Sequence, residues 1–304
     1  MPGARTLLLS KFMKISNFNK GIISTSLGSF WWGVIGVIYF QYFSFVGHIE
    51  LVIHRCLWTA LMLVLTTTFL SKWKILFKIF KDFRKIFILF ITGFLIFANW
   101  SVWIYAVATN QIINASFGYF IMPILSVLFG YIFFKEILNK KRIVSICLVL
   151  ISISYLFLNF NTIPWVGLFV ALSWSIYNLL RKTINVETDI GLLIESLFIL
   201  PFAIIGFYFL VNNGVNDFSL SNIPLMLLLL LAGPMTVIPL FLYVRGVELS
   251  GLGPTGMIFF ITPTFQFLLG FFYYNELFSI QKFISFILIW IAVFIYLKDL
   301  YEKS

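Results

Sequence analysis

Charge is scarce in this chain of 304 residues: 11 acidic and 21 basic side chains make up 11% of it, against about 25% in soluble domains. Cysteine is rarer still: Cys56 and Cys147 fall in separate apolar stretches with no paired spacing, so neither a metal site nor a disulfide framework is indicated. Histidine is confined to His48 and His54, so no His-based metal or catalytic cluster is expected, and no metal or cofactor either. No glycine-rich loop follows a strand, which leaves nothing in the chain to cradle a nucleotide phosphate. A membrane-embedded enzyme lacks its catalytic cluster, and it stands with a structural or sensory membrane protein as an alternative to the reading developed below.

What is present is apolar length. Hydrophobic residues make up 61% of the chain, with a mean hydropathy of +1.03. About 20 apolar residues of helix cross a hydrocarbon core, and ten stretches of that order follow one another: 21 to 43, 49 to 70, 86 to 108, 115 to 134, 143 to 160, 164 to 180, 190 to 211, 224 to 245, 253 to 274 and 280 to 298. None alternates in hydropathy as a barrel strand would, and backbone groups in lipid must be satisfied within the segment. The sequence therefore predicts an all-α integral membrane protein of ten transmembrane helices.

Lysine and arginine in short loops stay in the cytoplasm. With the N-terminus inside, 19 of the 21 basic residues fall on that side, leaving Arg55 and Lys282 toward the outside. Both termini are then cytoplasmic, and the protein is a multi-pass component of the cytoplasmic (inner) membrane. The first stretch has no small-residue cleavage signal after it and reads as a retained signal-anchor. Basic loops facing lipid account for the net charge of +10 without any nucleic-acid partner. Between Ser71 and Lys85 basic residues interleave with Trp73, Leu76, Phe77, Ile79 and Phe80, the pattern of a short helix on anionic lipid headgroups.

Sliding the sequence by 140 residues lays Phe120, Ile121, Pro123, Gly130 and Glu136 onto Phe260, Ile261, Pro263, Gly270 and Glu276 without a gap. The same offset, within one residue, brings Gly93 onto Gly233 and His54 to Glu195. The chain so divides into a basic N-terminus (1–20), a first five-helix unit (21–160), a second (164–298) and a short C-terminus (299–304). Five spans is an odd number, so the second unit must enter the membrane from the opposite side. Two halves of opposite orientation can pack in two near-equivalent ways, one open to each side, which is what alternating access requires. The predicted function is secondary transport of a small metabolite or drug-like molecule, proton-coupled or by exchange.

Ionisable groups within spans mark candidate pathways: His54 and Arg55 in the second span and Glu195 in the seventh. Glu195 is the one carboxylate well inside a span and the candidate for handling protons. Spans four and nine carry matched polar or helix-breaking stripes, Tyr119, Pro123 and Ser126 against Phe259, Pro263 and Gln266. In span eight Gly233, Pro234 and Pro239 predict an interrupted helix, and Pro123, Pro234, Pro239 and Pro263 are the candidate hinges. Trp32, Asn99, Trp100, Trp103 and Tyr177 complete the expected lining of an aromatic and polar pocket.

The run NWSVWIYAVATNQIINASFGYFIMPILSVLFG (99–130), with HRCLW (54–58), YNLLRKTINVETDIGLLIESLFILP (177–201) and ITPTFQFLLG (261–270), resembles the RarD subfamily of EamA transporters in the drug/metabolite transporter superfamily. The resemblance spans nearly the whole chain. It implies two inverted five-helix EamA-like repeats, cytoplasmic termini, and a central cavity lined mainly by the first four helices of each half. Positions matching the subfamily pattern are His54, Arg55, Asn99, Trp100, Tyr119, Pro123, Glu136, Arg181, Glu195, Pro239 and Pro263. Gln266 departs from it, since the related pattern is more apolar there.

Overall fold

The computed structural model describes residues 16–43, 45–108, 112–158, 165–273 and 280–302. Among them every regular element is helical, and the helices join into ten long rods: α1 (Asn17–Tyr42), α2 (His48–Phe69), α3 (Phe83–Ala108), α4 (Ile112–Phe134), α5 (Lys140–Phe157), α6 (Trp165–Thr183), α7 (Thr188–Asn212), α8 (Leu220–Ser250), α9 (Leu252–Ile258 continued by Ile261–Phe272) and α10 (Ile280–Tyr301). Each expected span falls on one rod. By length and composition seven can cross a membrane, namely α1, α2, α3, α7, α8, α9 and α10. The apolar part of α4 is the shorter stretch Gly118–Phe134. Basic residues sit at one end of α5 (Lys140, Lys141, Arg142) and of α6 (Arg181, Lys182).

Large apolar side chains cover the outside as well as the core. Phe69, Phe83 and Leu158 are each more than four-fifths exposed. In water such a surface would aggregate; against lipid it is the contact surface, and buried polar backbone is satisfied within each helix. The molecule is an all-α integral membrane protein. A short surface helix, Trp73–Phe80, lies between α2 and α3, with Leu76 and Ile79 buried and Lys74, Phe77 and Lys78 outward.

Three of the rods are locally irregular. A π-helical turn, Trp32–Gly36, interrupts α1. In α9 the helix breaks at Phe259 and Phe260, which places Pro263 in the first turn of the second piece, where its missing N–H is no loss. The break in α8 is at Leu231, ahead of the Gly233, Pro234 and Pro239 that were expected to interrupt it. Pro234 sits in the opening turn of Ala232–Ser250 and Pro239 is carried inside that helix, as Pro123 is inside α4. Gly233 serves close packing: a Cβ there would lie 2.6 Å from the Trp58 carbonyl oxygen of α2.

The rods pair as α1 with α8, α3 with α6, α4 with α6, α9 with α1, α2 with α8, α3 with α7, and α2 with α7, α4 with α9 and α5 with α10. Exchanging every helix for the one five places along turns this set of pairings into itself. The α5–α10 pair belongs to a second apolar cluster, in which Val149, Phe286 and Ile289 join Phe120 and Ile124 of α4 and Met257 and Phe260 of α9. There Ser145 donates to the Ala292 carbonyl, and Ser152 donates to the Ser285 carbonyl at 3.0 Å. Glu276, Lys303 and the N-terminal Arg5, Lys11 and Lys14 lie outside the described residues.

Candidate functional site

A cleft of about 590 Å³, the open space at its mouth included, lies where α1, α2, α3, α4, α6 and α9 meet. The π-helical turn and the residues after it supply Trp32, Gly36, Val37 and Phe40 to its wall; such bulges often occur at functional sites. Gly33 lets α1 lie directly on α9, since a Cβ there would meet the Thr262 carbonyl oxygen at 3.0 Å. Thr262, whose hydroxyl donates to the Ser29 carbonyl at 2.9 Å, lines the cleft with Phe259 and Gln266.

Aromatic rings form most of the enclosure. Trp174 of α6 packs edge-on to Trp32 at 5.2 Å between centroids, and Tyr119 faces Phe259 at 5.9 Å. Polar groups are few. Asn99 donates to the Val170 carbonyl at 3.0 Å and to Ser173 Oγ at 2.9 Å, which fixes its amide toward α6.

Arg55 is the charged residue of this wall. Its guanidinium carbon lies 4.7 Å from the Phe40 ring centre and 4.5 Å from that of Trp100, so two rings hold it by cation–π attraction. Nε donates to Thr236 Oγ1 of α8 at 3.2 Å. The side chain is 5% exposed, and no carboxylate among the described residues pairs with it.

Of the residues expected to line the path, Trp32, Arg55, Asn99, Trp100, Trp103, Tyr119 and Gln266 are brought together here. Three others lie elsewhere. Glu195 of α7 is 2% exposed and accepts hydrogen bonds from Thr92 Oγ1 of α3 at 2.7 Å and from the Tyr177 hydroxyl of α6 at 3.2 Å. Arg181 Nε stands 3.4 Å from Oε1, the oxygen that Thr92 also reaches, as an ion-pair partner. Gly191 makes room for that guanidinium, because a Cβ there would come within 2.6 Å of Arg181 Cζ. The Glu195 group borders a second, narrower cavity that shares Trp100 with the cleft and also includes Cys56, Thr59 and Leu192.

His54 belongs to a third group. Trp58 Nε1 donates to its Nδ1 at 3.0 Å, so Nε2 carries the proton and donates to Glu50 at 3.3 Å. Glu50 in turn accepts the backbone N–H groups of Asp217 and Phe218, at 2.9 and 3.0 Å, tying the α7–α8 connection to α2. Glu50 is 1% exposed although it sits at the expected span's edge, and nothing in its sequence position signals that burial.

Among the residues the sequence does not mark, Phe40, Trp174 and Thr236 matter most: Phe40 lies against the Arg55 guanidinium, Trp174 lines the cleft, and Thr236 accepts from Arg55 Nε. One further carboxylate binds across the molecule. Glu136, after α4, accepts the N–H groups of Leu252 and Gly253 at 2.8 Å each and Lys182 Nζ at 3.2 Å, so an anion caps the N-terminus of α9. No group of three His, Cys, Asp or Glu residues among those described could hold a metal ion.

Comparison with known proteins gives this architecture its family. The EamA-like transporter family model matches residues 19–158. An uncharacterized transporter of Vibrio cholerae is 33% identical over 92% of each chain. The uncharacterized transporter YojE of Bacillus subtilis is 32% identical over 93% of this chain and 95% of its own. The protein RarD of Escherichia coli is 30% identical, over 94% of this chain and 97% of its own. A solved crystal structure superposes with a TM-score of 0.67 at 14% identity, covering 90% of this chain and 96% of that one, a likeness of fold alone. With a helical membrane fold, an enclosed cleft and relatives that match nearly end to end, this chain belongs to the RarD branch of the EamA-like transporter family.

Proposed function

We propose that this membrane transporter is a secondary carrier that moves a small organic molecule across the cytoplasmic membrane by alternating access through the Arg55 cleft. The observation that carries the proposal is where the cleft's walls come from. Its lining belongs to α1, α2, α3 and α4 on one side and to α6 and α9 on the other, so both five-helix units contribute, while α5 and α10 pack against each other away from it. Rocking one unit against the other changes that cleft's access without dismantling it.

The inverted repeat is part of the same proposal. It is supported by the pairing of helices, which is unchanged when each is exchanged for its counterpart. It is supported again at α5–α10, where the Ser145–Ala292 and Ser152–Ser285 contacts are exchanged by the 140-residue offset. The family model's span, 19–158, coincides with α1 to α5. In this reading all ten rods cross the bilayer, both termini are cytoplasmic, and Lys74, Lys78 and Lys81 of the surface helix region ride on anionic headgroups. The Glu136 cap then ties the first unit to the second at the cytoplasmic face.

A single cysteine at Gln266, in a background with Cys56→Ser and Cys147→Ser, tests the motion. A membrane-impermeant maleimide should label it from either side of an oriented vesicle preparation. Labelling from one side alone would reject alternating access through this cleft. Cysteines placed near residues 140 and 280 should emerge on opposite sides; emergence on one side removes the inverted repeat.

A further inference from the structure

We infer that the cleft is built for an organic monoanion, whose charged end Arg55 binds and whose apolar or flat body the surrounding rings hold. That this ligand is the transported substrate rests on the carrier reading above.

A cation removed from water is strongly destabilising unless it is paired, and among the described residues nearly every enclosed cation is paired. Arg142 meets Asp299 at 2.9 Å, Arg181 meets Glu195 at 3.4 Å, and Lys182 meets Glu136 at 3.2 Å. Arg55, at 5% exposed between Arg181 at 3% and Arg142 at 9%, has no such partner among the described residues and faces the cleft. Among the described residues, the cleft's other lining includes no aspartate or glutamate. A guanidinium offers five N–H donors, and Thr236 takes only the one on Nε. The Nη edge is left for a planar two-oxygen acceptor, the geometry in which arginine binds carboxylate.

The same geometry disfavours the other charge classes. A cationic ligand would meet Arg55 without any carboxylate to receive it. A zwitterion would leave its ammonium facing indole and phenyl rings and neutral amides such as Asn99 and Gln266. A monoanion brings the missing charge with it, so the loaded cleft is close to neutral. The aromatic lining suits a molecule with one ring or a short branched chain beside its carboxylate. Contacts with the Phe40 and Trp100 rings and the bond to Thr236 hold the guanidinium in place before the ligand arrives.

The test is a charge series of near-isosteres on the purified full-length protein at neutral pH: phenylacetate, phenylacetamide and phenethylammonium, with indole-3-acetate and a branched-chain 2-oxo acid as further anions. Binding is read by calorimetry and by thermal shift. The acids should bind about tenfold or more tightly than the amide and the amine, as expected for hydrogen bonds to a charged group. Arg55→Gln should erase that preference, and Arg55→Lys should keep part of it. No binding by any acid, an amide or amine that binds as well as its acid, or an acid preference that survives Arg55→Gln would overturn the proposal. The wild-type series decides by itself if a variant fails to fold. Counterflow in proteoliposomes separates the two readings. Acids that bind but do not exchange leave the anion site standing and remove the carrier. Exchange of a neutral or cationic compound, indifferent to Arg55→Gln, keeps the carrier and removes the anion site.

Discussion

Arg55 and Glu195 stand 140 residues apart, at corresponding depths of α2 and α7, and their surroundings could hardly differ more. Glu195 is enclosed by Thr92, Tyr177 and Arg181, so its oxygens are occupied by groups from α3 and α6. Arg55 has two rings, one hydroxyl and an open cleft. Depth in the membrane made both look like pathway residues. Their partners separate them: a charge matched by the protein holds helices in register, and one left unmatched waits for a charge from outside.

The sharpest way to break that contrast is to strip the matched site. Glu195→Ala leaves Arg181 buried without a counter-charge, and the loss should be about 3 kcal/mol or more of stability, seen as a large drop in unfolding temperature in detergent. Removing both charges, with Arg181→Met added, should recover most of it, because the penalty lies in the orphaned cation. If the double variant is no better than the single, the pair is not what holds α6 to α7. A smaller effect of the same kind is expected at Gly191, where alanine would displace the Arg181 guanidinium. Gly191→Ala should cost about 1–3 kcal/mol by overpacking, and a neutral result would mean that Arg181 has room the structure does not show.

How far the sequence reached differs between these two sites for the same physical reason. Helical class and the placing of the helices follow from hydropathy and the backbone's need for internal hydrogen bonds, so each of the ten rods coincides with an expected stretch, and seven of them are long and apolar enough to cross a membrane. Trp32, Asn99, Trp103 and Gln266 were visible as polar or amphipathic groups where lipid would not tolerate them. What the sequence cannot show is who meets whom across the bundle. Arg181 was visible as a basic residue at the end of a span, yet it reaches inward to Glu195 because Gly191 leaves it space. Phe40 and Trp174, in a chain with 38 phenylalanines and 9 tryptophans, carry no mark that separates them from rings facing lipid. The π-helical turn at Trp32–Gly36 is likewise a product of packing, with Gly33 pressed against α9.

Lys72 asks whether pairing matters without deep burial. It bridges Glu187 at 2.8 Å and Asp189 at 2.6 Å just beyond the membrane end of α2, and it is 27% exposed. Burial pulls its pKa down, but the hydrogen bonds to Asp189 and Glu187 outweigh that and hold it above the ordinary 10.5. A raised folded-state value means the stabilisation is complete below the unfolded lysine value and is lost as pH climbs through the folded one. The melting temperature should therefore show no Lys72-dependent change through the neutral range and should lose the contribution only in strong alkali. Lys72→Met should lower stability by about 1 kcal/mol or less; a loss rivalling that of Glu195→Ala would show that the tie to α7 outside the membrane matters as much as the one within.

The smallest change in stability should come from the residue on which the cleft's chemistry turns. Arg55→Gln removes two cation–π contacts and the bond to Thr236, a loss of about 1–3 kcal/mol taken alone. It also removes an enclosed cation that no carboxylate balances, which is destabilising by a comparable amount. These nearly offset, so the variant should melt within about 1 kcal/mol of the parent when no ligand is present. A fall as deep as that of Glu195→Ala would mean that Arg55 is a structural charge after all, matched by something in the bundle. A melt unchanged without ligand, together with the loss of anion binding, would place the two charges in different roles: one spent on the fold, the other kept open for what the protein carries.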